Sequence, residues 1–484
     1  MIRQLTRRSL LGVGGATLGA SGLLAAPPRV ARARQEAVAF RGLRGTLILP
    51  GDPDFAEARR TFNTRMSSEP AAILTCSDPA EVGQAVRWAN RRDIEIRARS
   101  GGHNYEGYAV ADGALVIDLG ELSSIEVDPA RGEAIVGAGA RLIDVYRALG
   151  AFGLAIPAGT CPGVGIAGLT LGGGIGFLSR SLGLTCDALL AVDVVGANGR
   201  LRRASEDEHP DLFWALRGGG GGTFGIATAF TFRTTSLPSV ALCHVEWPWD
   251  DAATVLDAWQ RWAPFADPRL TVSMAIPGGG YGVVSATGMF TGPASDLPAL
   301  LAPLLAVGAP SPPQIWETPF LAACEQLGGP LLAHATFKNA SAMVHEPLPP
   351  EAVALLVGWL RSAPDPSSLV GFFPLGGAIA ATAPAATAFP HRQALFDMQY
   401  QAYWGEWNDP TPGLAWVRGI RDAMLPFVRG AYANYADADL TDWATDYYGG
   451  NLPRLEQVKA DWDADNVFRG PQVIQAPVER VPGR

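Results

Sequence analysis

Short apolar runs alternate with helix-like segments in the first part of the chain. Residues 70–75 (PAAILT), 94–98 and 114–119 (ALVIDL) have the apolar content of short strands. Between the first two, residues 80–91 have helical character. They follow Ser77-Asp78-Pro79, in which either Ser77 or Asp78 can act as the N-cap and Pro79 fits the first turn. This alternation predicts α/β or α+β layers around a bound ligand.

The alternation continues further along the chain. The pattern predicts a strand near residues 133–136, an amphipathic helix over 142–150, a strand over 186–195 and a helix over 210–216. Residues 55–66, earlier in the sequence, are also predicted to be helical.

The composition changes near Ser236, and the region that follows is rich in Trp, Pro and Ala up to about residue 411. We interpret this region as a substrate domain, a sheet backed by helices. Aromatic residues are enriched where flat rings or sugars bind, but they lie more often in cores. A helix is predicted over 412–430, after which the chain returns to the first domain.

Length and composition indicate a loop-rich enzyme with two or three lobes. The chain has 484 residues, of which 48% are hydrophobic, with 57 Gly and 38 Pro. The net charge is −9, and it is more negative still without residues 1–33, which carry arginines and no acids. A strongly acidic protein of this kind is a poor candidate for nucleic-acid binding.

The first 33 residues resemble a targeting segment. Arg7-Arg8 precedes a Gly/Ala-rich apolar run, and Ala31-Arg32-Ala33 is typical of a cleavage site. We interpret them as a bacterial Tat signal, so the expected location is periplasmic or extracellular, and the Tat export machinery is an expected partner. A membrane anchor is the weaker interpretation, because the apolar run is short and Gly-rich.

The five cysteines give no metal signature. Cys76, Cys161, Cys186, Cys243 and Cys324 are widely spaced, without a CxxC pair or a Cys/His cluster, so no metal site is predicted. In an exported protein an odd number needs an explanation. Attachment of one cysteine to a cofactor would leave four, and the sequence leaves open whether these form disulfides.

The stretch Arg97–Val110 (RARSGGHNYEGYAV) carries the first candidate chemistry. Gly101 and Gly102 let the backbone approach a ligand closely, and His103 follows them directly. A histidine in this setting can be a loop residue, a metal ligand or a cofactor attachment point.

A second stretch, Gly159–Arg180, contains Cys161 and the glycine spacing GxGxxG at Gly163, Gly165 and Gly168. Dinucleotide binding of the Rossmann type needs a strand just before such a motif and a helix opening inside it. The flanking Pro, Gly and Cys residues fit neither, so we reject NAD(P) binding here. A glycine loop whose backbone N–H groups face a pyrophosphate fits better.

Together these stretches and the C-terminal run Tyr447–Ile474 resemble the berberine bridge enzyme-like branch of the FAD-linked oxidases, which have the vanillyl-alcohol oxidase fold. The resemblance implies an α+β fold with a two-lobed FAD-binding domain over 34–236 and an α+β substrate domain with an antiparallel sheet over 237–411. It also implies a segment over 412–484 that returns to the FAD domain.

The resemblance implies FAD bound covalently twice, through His103 at the 8α-methyl and Cys161 at C6. It also implies a wider set of cofactor-binding residues: Arg99, Ser100, Gly101, Gly102, Asn104, Gly107, Thr160, Gly163, Val164, Gly165, Gly168, Gly172, Gly225, Ile226, Tyr448 and Asn451.

The catalytic base implied by the resemblance is a C-terminal tyrosine on a strand. Here that strand is predicted over 432–435, and alternation puts Tyr432 and Tyr435 on opposite faces, so both stay candidates. Glu406 is a weaker candidate. A small residue at Val164 resembles the oxidase type rather than the dehydrogenase type. Ile175 stands where many relatives have His or Tyr, which weakens the transfer of any one relative's substrate.

The resulting hypothesis is a monomeric oxidase that converts an alcohol to a carbonyl and reduces O2 to H2O2. The expected substrate is C1 of a sugar or oligosaccharide, and fold alone does not fix this choice. The alternatives are oxidation of a polycyclic or alkaloid-like natural product, a dehydrogenase with another electron acceptor, and a binding protein without turnover.

Overall fold

Short apolar strands form two sheets in the first half of the chain. The computed structural model describes residues 40–332, 334–365 and 367–477, and from Gly42 onward they belong to one compact unit. The strands of the first half are β1 (Thr46–Ile48), β2 (Ala72–Thr75), β3 (Ile96–Arg99), β4 (Leu115–Asp118), β5 (Ile125–Asp128), β6 (Glu133–Gly137), β7 (Leu154–Ala155), β8 (Leu189–Val195), β9 (Leu201–Ser205), β10 (Ile226–Arg233) and β11 (Thr235–Ser236).

The first sheet has the order β1-β2-β4-β3, with β2 and β3 parallel to β4. The second sheet is antiparallel with the order β5-β6-β10-β8-β9, and β7 pairs with β11. Strand β3 leads directly into the glycine-rich stretch that carries His103.

The second half contributes one seven-stranded sheet that is antiparallel throughout. Its strands are β12 (Ser239–Pro248), β13 (Leu270–Pro277), β14 (Val283–Phe290), β15 (Gln314–Pro319), β16 (Phe337–Val344), β17 (Leu369–Pro374) and β18 (Phe396–Tyr403). Their order across the sheet is β15-β12-β14-β13-β17-β18-β16. This third sheet confirms the predicted α+β class. The domain boundaries within residues 34–484 stay predictions.

Fourteen α-helices lie in the described residues: α1 (Phe55–Ala58), α2 (Pro79–Asn90), α3 (Leu142–Gly150), α4 (Ile166–Leu171), α5 (Ser179–Leu182), α6 (Pro210–Ala215), α7 (Ala252–Trp262), α8 (Leu297–Leu305), α9 (Phe320–Gly328), α10 (Pro350–Arg361), α11 (Gly377–Ala381), α12 (Thr411–Met424), α13 (Trp443–Tyr448) and α14 (Leu452–Asp463).

The largest hydrophobic core lies between one face of the third sheet and its helices. Buried side chains of α7, α8, α10 and α12 pack on β12–β14 and β16–β18. Trp247 and Trp259 are fully buried there, with indole N–H groups bonded to the carbonyls of Val307 and Val272. These two tryptophans therefore build the core, whereas Trp407 is exposed.

The opposite face of the third sheet is polar. On β18, Phe396, Met398, Tyr400 and Ala402 belong to the core, and the residues that alternate with them point to the other side. Those residues are Asp397, Gln399, Gln401 and Tyr403. The Gln399 amide donates to the hydroxyl of Tyr105 at 3.1 Å, so this face is turned towards the loop after β3.

Several local predictions are confirmed. Helix α2 begins at Pro79, and Asp78 rather than Ser77 is its cap, because the Asp78 carboxylate accepts from the Ala80 N–H at 2.6 Å. Helix α3 has the predicted bounds and buries its apolar side. Predictions on residues 1–33 lie outside the described residues.

Other local predictions are wrong, and tertiary contacts give the reason. The helix predicted over 55–66 ends at Ala58, because the Phe62 N–H donates to the Gly102 carbonyl at 2.9 Å and Asn63 pairs with Ala335. The strand predicted from Cys186 begins at Leu189, after a 3-10 turn. The helix predicted over 412–430 ends at Met424, two residues before a proline. In the described ranges no helix combines the length and the apolar character needed to cross a membrane.

Candidate functional site

A cavity of about 580 Å³ lies where the three sheets approach one another. Its wall includes Ile96–Ala98 of β3, Ile226 and Ala227 of β10, Phe337 of β16 and Tyr403 of β18. The rest comes from loops, so residues far apart in sequence meet around one space. The volume is that of a cofactor or substrate site.

Two loops of this wall contact each other through glycines. We call Ser100–Asn104 the His loop and Thr160–Gly165 the Cys loop. A Cβ atom on Gly101 would lie 2.8 Å from the Cα of Gly165, and a Cβ on Gly165 would lie 2.9 Å from the Cα of Gly101. Neither position has room for a side chain, so the glycines bring His103 and Cys161 to the same wall.

Arg141 joins the two loops from outside. Its guanidinium donates to the Gly163 carbonyl at 2.6 Å and lies 3.5 Å from the Gly101 carbonyl. The next residue, Leu142, donates its N–H to the Val164 carbonyl at 3.0 Å at the start of α3. Sequence reasoning did not find Arg141, because nothing in the local pattern distinguishes it from a surface arginine.

His103 is held as a neutral ring. The Phe62 ring stacks on it with centroids 3.9 Å apart and planes 16° apart. Burial, reinforced by the positive charge of Arg141, lowers the pKa of His103 to about 4. The imidazole therefore keeps a free nitrogen lone pair at neutral pH.

Cys161 is exposed at the cavity wall and is a free thiol. Desolvation by the neighbouring protein atoms raises the pKa of this thiol, and the Thr160 hydroxyl, 4.0 Å away, opposes the rise. All five cysteines are unpaired, so the question of disulfides that the sequence left open is answered: Cys76, Cys186 and Cys243 are buried thiols, and Cys324 is half-buried.

The glycine-rich parts of the wall leave room that only a ligand would use. A Cβ on Gly168, which lines the cavity, would meet nothing within 4 Å, and the same is true of Gly222. The run Gly220–Thr223 lies beside them on the wall. Lys459, fully buried, donates to the carbonyls of Thr223 and Phe468 at 2.7 and 2.6 Å and fixes this part of the wall.

The charged side chains on the cavity wall are cations that pair with carboxylates outside it. Among the described lining residues, the ones with a formal charge are Arg97 and Arg469. Arg97 is 7% exposed and pairs with Glu95, but its buried Nε has no hydrogen-bond partner. A buried donor of this kind needs an acceptor. A dinucleotide with an anionic diphosphate fits both the empty glycine cradle and this charge.

The two candidate tyrosines lie on a turn rather than a strand. The Tyr435 N–H donates to the Tyr432 carbonyl at 2.8 Å and closes the turn. The predicted strand over 432–435 is therefore wrong, and so is the alternation argument built on it. Both tyrosines line the cavity, with their rings edge to face at 4.9 Å.

The two hydroxyls have different surroundings. Three N–H groups point at the Tyr432 oxygen, from Gly174 (2.9 Å), Ile175 (3.3 Å) and the Asn434 amide (2.8 Å). In the part of the chain that is described, no group forms a hydrogen bond with the Tyr435 hydroxyl, and the Tyr435 ring stacks on Tyr105 at 5.3 Å.

Burial raises the pKa of Tyr432 despite its three donors. Burial also raises the pKa of Tyr435 well above its ordinary value, with smaller contributions from Tyr105 and Asp397. Asp397 is itself buried, with an unpartnered oxygen, and burial raises its pKa to about 8. Glu406 is different: it is half-exposed beside Arg60 and does not line the cavity.

Most of the predicted cofactor residues lie on the cavity wall. They are Ser100, Gly101, Gly102, His103, Asn104, Thr160, Cys161, Gly163, Val164, Gly165, Gly168, Gly225, Ile226 and Tyr448.

Four predicted residues do not line it. Arg99 pairs with Asp118, and Asn451 donates its amide to three carbonyls of residues 384–388. Gly107 has a positive φ of 68° that favours glycine, and a Cβ on Gly172 would collide with Asn434. These four support the wall from behind.

One of the two features of a Rossmann motif, expected from the sequence to be missing, is present. Helix α4 does open inside the glycine motif, at Ile166 with Gly165 as its cap. The upstream strand β7, however, has two residues and ends at Ala155, well before Gly163. The strand–turn–helix unit that the motif requires is therefore absent from these described residues.

Fold and site together define a flavin-dependent oxidoreductase. Residues 70–205 match the family model described as "FAD binding domain", and residues 431–475 match the one described as "Berberine and berberine like". An uncharacterized FAD-linked oxidoreductase of Bacillus subtilis, YgaK, is 37% identical over 89% of this chain and 97% of its own. The protein is a member of the berberine bridge enzyme-like family of FAD-linked oxidoreductases.

Two further relatives carry more specific names. The aclacinomycin-N/aclacinomycin-A oxidase of Streptomyces galilaeus is 30% identical over 99% of both chains. A solved structure of a chitooligosaccharide oxidase superimposes with a TM-score of 0.83 at 27% identity, over 93% of this chain and 100% of that one. The vanillyl-alcohol oxidase type of fold predicted from the sequence is confirmed.

Proposed function

We propose that the protein is an oxidase that carries FAD on both His103 and Cys161, oxidises C1 of a sugar or oligosaccharide and passes the electrons to O2, which becomes H2O2. The single observation that carries this proposal is the glycine contact between the His loop and the Cys loop. Two nucleophilic side chains share one wall of a cavity large enough for a dinucleotide.

The protein groups that would hold FAD follow from the wall. The glycines at 168 and 220–222 would leave room for the diphosphate, and Arg97 and Arg469 would supply positive charge. His103 and Cys161 would prevent its release from an open site. When bound, the cofactor supplies the hydride acceptor and the route to O2.

Tyr435 is the better candidate for the base of the two tyrosines. Its hydroxyl is free to meet a substrate, whereas three N–H groups already occupy the Tyr432 oxygen. We assign Tyr432 the task of holding the loop at Gly174 and Ile175 and of packing edge-on against Tyr435. Among the described residues, no positive charge lowers the pKa of Tyr435. Deprotonation of its hydroxyl is therefore unfavourable at neutral pH and becomes easier as pH rises.

The polar face of the third sheet favours a sugar. Gln399 bonds to Tyr105, and Gln401 accepts from Tyr403, so amides of this face hold two phenols of the cavity wall. Hydroxyl-rich substrates are recognised by such groups. A polycyclic or alkaloid-like natural product is the second candidate, because the chain is similar over 99% of both lengths to an oxidase named for aclacinomycin and not for a saccharide.

Val164 lies on the cavity wall within the Cys loop, and its small side chain favours access of O2 over a dehydrogenase with another acceptor. Monomeric state, export by the Tat pathway and a periplasmic or extracellular location complete the proposal.

Anaerobic mixing of the purified protein with oligosaccharides and polycyclic alcohols tests the function. We expect a sugar to bleach the flavin absorbance and air to restore it promptly. The Tyr435→Phe variant, purified with the same flavin content, is the control for specific chemistry. Bleaching by polycyclic alcohols alone would favour the second candidate, and a flavin that stays reduced in air would exclude an oxidase.

A further inference from the structure

Five charged side chains form a connected row beside the stacked tyrosines, and Asp439, 3.4 Å from the Lys338 ammonium, flanks it. Lys338 lies at its centre and donates to Glu106 at 2.6 Å and to Asp437 at 2.5 Å. Arg65 binds the other oxygen of Glu106, and Arg421 binds the other oxygen of Asp437, both at 2.7 Å. We call this set of residues the ion-pair chain.

The three central members are almost inaccessible to water. The side chains of Lys338, Glu106 and Asp437 are 3%, 3% and 1% exposed. A buried ion pair often contributes less to stability than apolar residues of similar volume, so stability alone is a weak explanation for it. Its best attested value is to fix which segments meet and how, and the partners here are 232 and 99 residues apart.

The segments joined are the ones that carry the stacked rings. Glu106 directly follows Tyr105, and Asp437 is two residues after Tyr435. The two rings lie 5.3 Å apart with their planes 5° from parallel. Through the carboxylates of Glu106 and Asp437, the Lys338 ammonium therefore links the two chain segments that carry the stacked rings.

The surrounding contacts make this connection stiff. Phe337, next to Lys338, meets the Tyr105 ring edge to face at 5.1 Å. The Asn63 amide donates to the carbonyls of Tyr105 and Phe337 at 2.7 and 3.0 Å. The Asp437 N–H donates to the Tyr447 hydroxyl at 3.0 Å. Lys338 thus lies where the segment directly after the His loop, strand β16 and the C-terminal segment meet.

We propose that Lys338 is a positioning residue that sets the stack of Tyr105 on Tyr435 and thereby the place of the Tyr435 hydroxyl in the cavity. It touches neither substrate nor cofactor. The catalytic part of this inference rests on the proposed role of Tyr435, but the geometric part does not. A misplacement of about 1 Å can lower a rate about 100-fold, so a small opening of the stack is enough to matter.

The test compares crystal structures of the flavin-loaded protein and its variants. In Lys338→Met we expect the ring centroids to separate by about 1 Å or more, and in Lys338→Arg, which keeps the charge, to stay close to the present distance. Arg392→Met is the matched control. It removes an equally buried cation, paired with Asp187 at 2.7 Å outside the ion-pair chain, and it should leave the stack unchanged.

An unchanged stack in Lys338→Met, or an equal shift in Arg392→Met, would overturn the proposal. If Lys338→Met does not fold, Asp437→Asn removes one charge of the chain at constant shape and is judged by the same distance. Flavin reduction is measured in parallel, with kcat expected to fall while KM stays constant. If no compound of the panel bleaches the flavin of the wild-type protein, the proposed function is refuted, but the measured distance between the rings is unaffected. Failure of the proposed function and failure of the positioning role are therefore distinguishable.

Discussion

Gly165 and Gly168 belong to the same motif, but a side chain would have a different effect at each position. Substitution of each glycine by alanine tests this difference. Gly165 faces the His loop, where a Cβ would lie 2.9 Å from the Cα of Gly101. Carbon atoms prefer a separation of about 3.5–4.0 Å, so this contact alone requires the loops to part by roughly 0.6–1.1 Å. The Ser100 Oγ and the Gly101 N atoms lie nearer still to the added Cβ, so this movement is a minimum. Gly168 faces the cavity, and a Cβ there would meet no protein atom within 4 Å.

Overpacking of this kind costs about 1–3 kcal/mol, which is the expected loss for Gly165→Ala. Gly168 lies in the first turn of α4, where alanine in place of glycine stabilises by up to about 1 kcal/mol. For a chain of this size 1 kcal/mol corresponds to roughly 1 °C in Tm. We therefore expect Gly165→Ala to lower the Tm by about 1–3 °C and Gly168→Ala to leave it equal or slightly higher.

The assay uses protein free of flavin, so that only the chain itself is measured. A background with His103→Ala and Cys161→Ala permits removal of the cofactor before calorimetry. FAD is then added back and its Kd is measured by fluorescence. Gly168→Ala should bind FAD more weakly although its fold is intact. Equal Tm values for Gly165→Ala and the parent would contradict the loop contact, and unchanged FAD binding by Gly168→Ala would contradict the cradle.

Three further outcomes follow from the site. Cys161→Ala should keep flavin attached through His103 after acid precipitation, and flavin lost entirely from that variant would contradict a second link. The rate at which FAD reattaches to apoprotein through His103 should stay constant with falling pH until the pH approaches about 4, because only then does the ring gain a proton. The rate of attachment through Cys161 should increase with rising pH, because the pKa of the thiol is raised and the thiolate forms only at alkaline pH. Replacement of Tyr435 by Phe should slow flavin reduction by about 100-fold or more. The rate of flavin reduction in the wild-type protein should rise from neutral to alkaline pH, and a rate independent of pH would argue against a phenol as the base.

Those features of the fold that depend only on neighbouring residues in the chain were predicted correctly from the sequence. Asp78 before Pro79 is a helix start wherever it occurs, and the apolar spacing of 142–150 produces a helix with one buried side. The paired motifs around His103 and Cys161 likewise predicted a shared site, because their residue types and glycine spacing resemble those of the berberine bridge enzyme-like family.

The features it missed depend on partners far away in sequence. Arg141 matters because two loops expose carbonyls to it, and Lys338 matters because carboxylates from distant segments converge on it. The resemblance implied a strand over 432–435, but these residues form a turn in which Tyr432 accepts N–H groups from the loop at Gly174. No local pattern contains that information.

The distribution of the cavity wall along the chain has a consequence for biosynthesis. The lining runs from Phe62 to Val473, so the chain must be synthesised at least as far as Val473 before the wall is complete. Gln472 then anchors this end by donating to the Asp437 carbonyl at 2.7 Å. A nascent chain has no finished binding site until translation has passed Val473. Cofactor retention thus reports that the polypeptide has been made at least that far, since a copy terminated earlier would lack part of the wall.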